Sequence, residues 1–430
     1  MINIEEPQLP GTFTTDLAFA KSNSAPIPLT FLERPHTGAQ AATRGRTVLK
    51  PDIDLGRYEF KAVIDWLKVE VEVCHPTQFR YLQTELKAFF PRLCDVRAIE
   101  PDSGGVSTRF IITIQEPKSV AHVQRSLEAL AGGYRLVGKP FLRGIEVSID
   151  AKPRVPSDIH RAKMLGVMNR TIFTRLNVIE SSSSRPRHCA AQGQKPRFLL
   201  PAFKLAEKTI DTWLLTEKIT PAPVDATFYL GAQHDPVLIK VMDKVIDQQN
   251  PKAGTCKNLT DAEKRVRIEV TLKGRELKML GLHHLEDLQD FSFTSLQGSY
   301  FQFKLPTFEA SDAKPGSALS AARSWLEDQC RRRFLTTGVM GLEFMRHARE
   351  AFRNRHRSEL KRHIRHTGGK MIRNRRGTGA TGTLVAYEEM NRLVSNALGG
   401  LDRRERTAWK NRVKDGVGSV ESCGRQEGKT

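Results

Sequence analysis

The spacing of apolar and polar residues divides the chain into segments of different character. From about residue 60, "AVIDWLKVEVEV" alternates with a period of two, which is typical of a half-buried strand. "HPTQFRYLQTELKAFF" then places apolar residues at helical spacing, and "SVAHVQRSLEALAGGY" does the same before a Gly-Gly stop. "CDVRAIE", "STRFIITIQE" and "FLRGIEVSID" are predicted as three further strands.

These elements predict an α+β fold with a repeated architecture. Residues 57–155 follow the order β-α-β-β-α-β, which is that of a ferredoxin-like split-βαβ unit. Residues 206–310 carry more strands, at "DATFYLGAQ", "VLIKVMDKVID" and "RVRIEVTLKG", and are predicted as a second, related α/β half. A basic helical region and a disordered tail are expected over 311–430.

Two segments lack a sustained period. Residues 1–56 are rich in Pro, Ser, Thr and Gly and are interpreted as a flexible N-terminal arm. Residues 156–205 contain the polar run "SSSSRPRHCAAQGQKPR" and are interpreted as a linker or connecting segment. The predicted organisation therefore has a flexible arm, two α/β halves joined by a linker, and helices at the C-terminal side.

Composition narrows the functional classes. The 68 Lys and Arg against 48 Asp and Glu give a formal charge of +20, which favours a polyanionic partner, nucleic acid before anionic membrane. Simple solubility is the alternative reading of this charge. The six cysteines are scattered without a C-x-x-C pair, which argues against a structural zinc site. The acidic start without an apolar run favours a cytoplasmic protein with no membrane partner, and no Walker loop is present.

Two predicted strands offer carboxylates for a metal ion. In "GIEVSID", Glu146 and Asp150 lie on the face opposite the apolar residues, and such a pair can bind Mg²⁺ or Mn²⁺ with a third ligand. In "RVRIEVTLKG", Glu269 shares the polar face with Arg267 and Lys273. Glu269 is a candidate third ligand or general base, and the two cations are candidate phosphate ligands. A solvated polar face and cross-strand ion pairing are the alternatives.

Tyr229 is the candidate nucleophile. It lies in "DATFYLGAQHDPVLIKVMDK", where Lys240 and Lys244 share one face of the following strand. A tyrosine hydroxyl has an ordinary pKa near 10, so attack on phosphorus needs nearby cations or a metal. Both lysines are placed to supply this charge across a hairpin. A packed core tyrosine remains the alternative.

The basic segment over residues 331–376 is the candidate nucleic-acid-binding element. It holds 15 Lys and Arg against 3 Glu, so that +12 of the total charge lies there. Like charges repel unless an anion compensates them, and phosphate contacts release counterions. A solvated helical face is the alternative. The candidate DNA contacts in this segment are Arg331, Arg332, Arg333, Arg353, Arg357 and Arg362.

Four short motifs in this order resemble the replication initiation factors of rolling-circle plasmids, conjugative elements and filamentous phages, which are relaxase-like initiators. They are "GIEVSID" (144–150), "TFYLGA" (227–232), "VMDK" (241–244) and "RIEVTLKG" (267–274), within about residues 60–305. The resemblance implies an endonuclease that nicks one origin strand through a tyrosine and a divalent metal and then transfers the strand.

Carried over by position, the resemblance assigns a role to each of six residues. Glu146 and Asp150 are metal ligands, Tyr229 is the nucleophile, and Lys244, Arg267 and Glu269 surround the phosphate. Origin DNA, single-stranded or hairpin, is the expected partner, with a host helicase and a homodimer as further expectations.

Three departures from the family pattern leave a second interpretation open. Glu146 replaces the usual Asp, Ala232 replaces Ser, and Met242 replaces the tyrosine of "Y-D-K". If the nucleophile belongs at position 242, the protein cannot nick. The alternative is then a non-catalytic DNA-binding regulator of replication or transcription in a phage or mobile element.

Overall fold

The computed structural model describes residues 11–21, 24–37, 43, 45–90, 94–130, 132–175, 184–190, 195–199, 221–250, 255–309, 318–366 and 384–421. Over these residues the protein is a mixed α/β structure of antiparallel sheets and packed helices, with two long helices at its C-terminal side. This agrees with the predicted α+β class and with a helical C-terminal region.

The strands of the described ranges are numbered in chain order. They are β1 (Thr12–Leu17), β2 (Ile27–Pro35), β3 (Thr47–Pro51), β4 (Tyr58–Gln78), β5 (Cys94–Ala98), β6 (Val106–Gln115), β7 (Phe141–Pro153), β8 (Ile172–Phe173), β9 (Arg187–Cys189), β10 (Arg197–Phe198), β11 (Thr227–Leu230), β12 (Val237–Lys244), β13 (Ile246–Asn250), β14 (Thr255–Asn258), β15 (Arg265–Lys273), β16 (Gln302–Phe308) and β17 (Leu384–Ala386).

The α-helices are numbered in the same way. They are α1 (Phe79–Phe89), α2 (Val120–Glu128), α3 (Asp158–Thr171), α4 (Arg275–Met279), α5 (Gln297–Tyr300), α6 (Ala318–His366) and α7 (Glu388–Glu421). Ser119 and Ser157 cap α2 and α3, each accepting a hydrogen bond from the backbone N–H three residues later. Such caps satisfy N–H groups that have no partner inside the helix.

A nine-stranded antiparallel sheet is the centre of the molecule. Its order is β10-β9-β11-β12-β15-β7-β4-β6-β5, so the two predicted halves meet where β15 pairs with β7. The strands expected in a separate second half instead continue the sheet begun by β4 to β7. Polar residues of the two regions therefore share one surface.

One face of this sheet is apolar and packed. Ile145, Val147 and Ile149 of β7 are buried on it, as the alternating pattern predicts. Helix α3 packs against this face at β7, β12 and β15, and its other sides contact β2 and α6. Residues 158–171 are thus a buried helix, which differs from the linker expected over 156–205. Contacts on nearly all sides explain why α3 shows no amphipathic period.

A second sheet forms from distant parts of the chain. Its order is β1-β2-β3-β16-β17, with β8 also paired to β16. The N-terminal region therefore contains three strands, whereas a flexible arm was expected over 1–56. Leu29, Phe31 and Leu49 are fully buried there, and Leu29 and Phe31 alternate along β2 within a region rich in Pro, Ser, Thr and Gly.

Helix α6 bends sharply at Gly338. This residue has φ 71° and ψ −167°, a backbone region that only glycine adopts without strain. A Cβ at this position would lie 2.4 Å from the Cα of Arg170 in α3. The bend therefore lets α6 pass close to the backbone of α3.

Helix α7 supports the sheet from the helical side. It packs against β4 and α2, and the Arg404 guanidinium donates to the Ala62 carbonyl of β4. The Glu405 carboxylate accepts from the backbone N–H of Val120, at the start of α2, at 2.9 Å. A helix from the C-terminal region thus contacts β4, the first strand of the central sheet in chain order.

Candidate active site

Polar side chains of four neighbouring strands meet on the face of the nine-stranded sheet opposite the packed helices. Tyr229 of β11 lies directly opposite Lys240 of β12, Lys240 opposite Glu269 of β15, and Glu269 opposite Ser148 of β7. Directly opposed residues in antiparallel strands have Cβ atoms roughly 4.5–5.5 Å apart. The register therefore makes a phenol, an ammonium and a carboxylate neighbours.

Lys240 links two carboxylates on this face. Its Nζ lies 2.8 Å from Oε2 of Glu269 and 3.1 Å from Oε2 of Glu146. Glu146 also accepts a hydrogen bond from the Thr271 hydroxyl. Burial lowers the pKa of Lys240, but Glu269 and Glu146 together outweigh burial and hold this pKa above its ordinary value. Lys240 is thus firmly charged.

A third carboxylate, that of Asp65, enters the site through a β-bulge. Strand β4 advances two residues, from Ile64 to Trp66, while β7 advances only one, so Asp65 is an extra residue on β4. The carboxylate oxygens of Asp65, Glu146 and Glu269 lie within 4.8 Å of one another. The bulge therefore completes a group of three acids, named the acidic cluster below.

The acidic cluster fits a hard divalent cation. Burial and the neighbouring Glu269 raise the pKa of Glu146, so a second positive charge beside it would be favourable. Oxygen ligands are the ones that Mg²⁺ and Mn²⁺ take in proteins. The Lys240 ammonium already pairs with Glu146 and Glu269. A bound cation would therefore share these two carboxylates with Lys240.

Asp150 is placed differently from the other predicted ligand, Glu146. Its carboxylate forms a two-point pair with Arg267, at 2.6 and 2.8 Å, and Arg265 lies 3.0 Å away. Arg267 is buried, and its third guanidinium nitrogen, Nη1, donates to Asp65 at 2.6 Å. Burial lowers the pKa of Arg267, but Asp150 and Asp65 hold it above its ordinary value. The pair thus orients Asp65, and Asp150 lies outside the acidic cluster.

Tyr229 is half-buried at the edge of this group. The guanidinium carbon of Arg187 in β9 lies 5.1 Å from the centre of its ring. Burial raises the pKa of the Tyr229 hydroxyl, while Lys240, Thr227 and Arg187 act in the opposite direction. In the described part of the chain, Arg187 donates only to backbone oxygens, including that of Gly231 at 2.7 Å. A guanidinium without a carboxylate partner therefore lies beside the phenol.

The remaining strand residues lie at the margins of the site. Lys244 pairs with Asp247 at 3.2 Å, and Lys273 donates to the Gln233 carbonyl at 3.0 Å. Met242 lies opposite Arg267, on the same face as Lys240. Position 242, which holds tyrosine in the family that the sequence resembles, is thus on the polar face, two residues after Lys240.

The basic C-terminal segment is only partly a surface. Arg331 and Arg333 are buried, with Arg331 bonded to Asp328 at 2.7 Å. This differs from the solvent-facing role expected for them, because their guanidinium groups are engaged inside the protein. Arg332 and Arg362 are exposed. The side chains of Arg353 and Arg357 lie outside the described residues.

Arg362 belongs to a basic cleft at the end of α6. The cleft has a volume of about 580 Å³ and is open to solvent. It is lined by Lys361, Arg362, Arg365 and His366. Together with the exposed Arg332, this cleft places positive charge of the segment at the surface.

Sequence reasoning missed two residues of the site. Asp65 lies in an alternating strand whose pattern gives no sign of a bulge, so its convergence with Glu146 was not predicted. Arg187 lies in a segment interpreted as a linker, although it pairs with Tyr229 across β9 and β11. The available signal for Arg187 was the pair of arginines, Arg185 and Arg187, within a polar stretch.

The described helices include none that is long and apolar enough to cross a membrane.

No protein-family model matches the chain, and no curated protein matches it. Among solved structures, it is similar to the rolling circle replication initiator protein from Geobacillus stearothermophilus, with a TM-score of 0.27 and 11% sequence identity. The likeness covers 65% of this chain and 98% of that one. A likeness of this degree does not establish a family for the chain.

Proposed function

We propose that the protein is a metal-dependent DNA endonuclease that nicks one strand through Tyr229 and transfers it, as an initiator of rolling-circle replication does. One observation carries the proposal: the register of β11, β12 and β15 lines up Tyr229, Lys240 and Glu269 beside the acidic cluster. This is the set of groups that a phosphotyrosine mechanism needs, namely a nucleophile, a cation beside it and ligands for a divalent metal.

The proposed reaction is a transfer of one phosphodiester. The Tyr229 hydroxyl oxygen attacks phosphorus and forms a new O–P bond while the bond from phosphorus to the 3′ oxygen breaks. The phenol proton passes to solvent, and the departing 3′ oxygen takes a proton from solvent. The strand stays attached to the tyrosine through its 5′ phosphate until a later 3′ hydroxyl reverses the reaction.

The surrounding residues have distinct proposed roles. Lys240 and Arg187 stabilise the negative charge on the phenol oxygen and on the phosphate, since their cationic groups lie next to the ring. Asp65, Glu146 and Glu269 would hold Mg²⁺ or Mn²⁺, which when bound polarises the phosphate oxygens. Arg267 positions Asp65 through the pair with Asp150.

We further propose that strands β4 to β7 form a ferredoxin-like unit. Strands β4 to β7 lie in the order β7-β4-β6-β5 and all pair antiparallel. Helices α1 and α2 connect β4 to β5 and β6 to β7. The arrangement supports a split-βαβ unit, to which β9, β11, β12 and β15 add.

A covalent-adduct assay tests the nuclease proposal. Pooled single-stranded oligonucleotides labelled at the 3′ end are incubated with protein and Mn²⁺ and run on a denaturing gel. We expect label to migrate with the protein, and Tyr229→Phe to remove it. Tyr81→Phe is the matched control, because Tyr81 is an exposed tyrosine of α1. An undiminished adduct with Tyr229→Phe would sink the assignment.

A second candidate is a non-catalytic DNA-binding regulator. The observation in its favour is that the Lys240 ammonium already bridges two of the three acids, while burial raises the pKa of Tyr229. A site of this kind is stable without a metal and has a weakly nucleophilic phenol. DNA binding that persists in EDTA, with no adduct under Mg²⁺ or Mn²⁺, would favour this candidate.

A further inference from the structure

A tryptophan lies flat on the polar face beside the acidic cluster. Trp66 of β4 is directly opposite Glu146 of β7. A Cβ built at Gly144 would lie 2.8 Å from Cζ3 of the indole, so the ring occupies the space above that glycine. Trp66 is only half-buried. A partly exposed indole therefore lies next to the carboxylates of the proposed active site.

Two lysines flank this ring. Lys68 and Lys273 lie directly opposite Gly144 on the two neighbouring strands, β4 and β15. Nζ of Lys68 is 5.7 Å from the centre of the Trp66 ring. Burial lowers the pKa of Lys273, and Lys68 lowers it further, which agrees with two ammonium groups close together.

Neither ammonium has a carboxylate partner among the residues that the structure describes. Lys273 donates to a backbone carbonyl, that of Gln233, at 3.0 Å. Lys240, Arg265 and Arg267 on the same face are all paired with acids. Two unpaired cations side by side are unfavourable unless an anion approaches them.

Packing alone explains the indole but not the lysines. An aromatic side chain over a glycine is a common way to fill a gap in a sheet. Such filling requires no charge, and neutral or acidic neighbours would serve equally well. The combination of a partly exposed indole with two ammonium groups that no described carboxylate pairs with is instead the chemistry that binds a nucleotide, one base by stacking and its phosphate by charge.

We infer that Trp66, Lys68 and Lys273 form a subsite for one nucleotide of single-stranded DNA, next to the phosphodiester that is cut. The base stacks on the indole, and the phosphate of that nucleotide lies between the two ammonium groups. This inference rests on the proposed function for its substrate class. It adds that the bound strand is unpaired at this position, because a base inside a duplex has no free face for the ring.

The test separates binding from cutting. Fluorescence anisotropy of labelled single-stranded oligonucleotides is measured in EDTA, so that no metal-dependent step takes place. We expect Trp66→Ala to weaken binding by about 5- to 150-fold, the range typical of one lost base stack. Trp66→Phe should retain part of the affinity. Trp325→Ala is the matched control, because Trp325 is an exposed tryptophan of α6 and should leave binding unchanged.

Two further measurements distinguish loss of the subsite from a folding defect in Trp66→Ala. Gly144→Ala keeps the indole but displaces it, and we expect weaker binding from a protein that melts normally. An abasic site moved along the oligonucleotide should weaken wild-type binding at one position and have no effect on Trp66→Ala there. If every abasic oligonucleotide binds the wild type equally, or if Trp66→Ala binds within twofold of wild type, the subsite does not exist.

The two proposals fail separately. A wild-type protein that forms no adduct but shows the Trp66-dependent abasic position retains the subsite and loses the nuclease reaction. A wild-type protein that forms the adduct, with Trp66→Ala binding like wild type, retains the nuclease reaction and loses the subsite. Equal effects of Trp66→Ala on duplex and single-stranded DNA would also contradict the inference.

Discussion

At the scale of single residues, the polar face is an arrangement of charges with Lys240 near its centre. The Lys240 ammonium contacts the carboxylates of Glu146 and Glu269. A third carboxylate, that of Asp65, pairs with Arg267. Buried charges are stable only when paired and hydrogen-bonded. One ammonium shared by Glu146 and Glu269 leaves their two negative charges incompletely paired, and burial and Glu269 raise the pKa of Glu146.

This incomplete pairing predicts that a divalent metal stabilises the fold. A ligand present at 100 times its Kd adds about 2.7 kcal/mol to the free energy of unfolding. We expect Mn²⁺ to raise the Tm of the wild type and to have no effect on Glu146→Gln. Glu59→Gln is the control, because Glu59 is an exposed acid of β4. An equal Tm shift in Glu146→Gln would place the metal elsewhere.

The same stabilisation has a defined pH dependence. Burial and Glu269 raise the pKa of Glu146, and a metal must displace the proton from this carboxyl group. The Mn²⁺-dependent rise in Tm should therefore be full above the raised pKa and should disappear as the pH falls through it. Without metal the sign reverses, because a group with a raised folded pKa stabilises the protein below its unfolded pKa and loses that contribution as the pH rises.

Much of the site was predictable at this scale, whereas Asp65 and Arg187 were not. Alternation in β7, β12 and β15 placed Glu146, Lys240 and Glu269 on polar faces, because side chains of a strand alternate with a period of two. The bulge at Asp65 depends on how β4 pairs with β7, which no local pattern encodes. The pairing of Asp150 with Arg267 was not predictable either, because an acid at that spacing can bind either a metal ion or an arginine.

At the scale of elements, the strands of the central sheet were easier to predict than their partners. Long alternating segments such as β4, β7 and β15 follow the pattern closely. Helix α3 was missed because its burial comes from tertiary contacts rather than from a regular period. Strands β1 to β3 were missed because they are short and lie in a region rich in Pro, Ser, Thr and Gly, which outweighed the alternation of Ile27, Leu29 and Phe31. The bend in α6 was missed too, because a glycine inside a helical pattern does not reveal its φ.

This bend gives a prediction for stability. Gly338→Ala should lower the free energy of unfolding by at least about 1–3 kcal/mol, because alanine is strained at φ 71° and ψ −167°. The clash with the Arg170 backbone would add to that loss. Gly298→Ala in α5 is the control, because its Cβ would meet no atom within 4 Å. Urea unfolding measures both, and equal losses would contradict the role of the bend.

At the scale of the whole molecule, the excess of positive charge is not spread evenly. The formal charge is +20, yet Arg331 and Arg333 of the basic segment are buried. The cleft at the end of α6 presents Arg362 and Arg365 to solvent. Long-range attraction of a nucleic acid therefore depends on the surface charges and not on the composition alone.

The cleft predicts a specific salt dependence. Each phosphate contact to a single strand contributes about −0.7 to the slope of log K against log salt. The double variant Arg362→Ala/Arg365→Ala should therefore make this slope shallower by about 1.4. Arg57→Ala/Arg97→Ala is the control, since both arginines are exposed and paired with nearby aspartates. An unchanged slope in the first variant would show that the cleft does not contact DNA.

The contact between α7 and β4 has a consequence for the order in which the protein folds during its synthesis. Ribosomes build a chain from its N-terminal side, so Ala62 is made more than three hundred residues before Arg404, whose guanidinium donates to its carbonyl. Strand β3 likewise waits for β16, since Val48 pairs with Thr307. A nascent chain therefore cannot form the contact between α7 and β4, or pair β3 with β16, until residues far along the chain have been made.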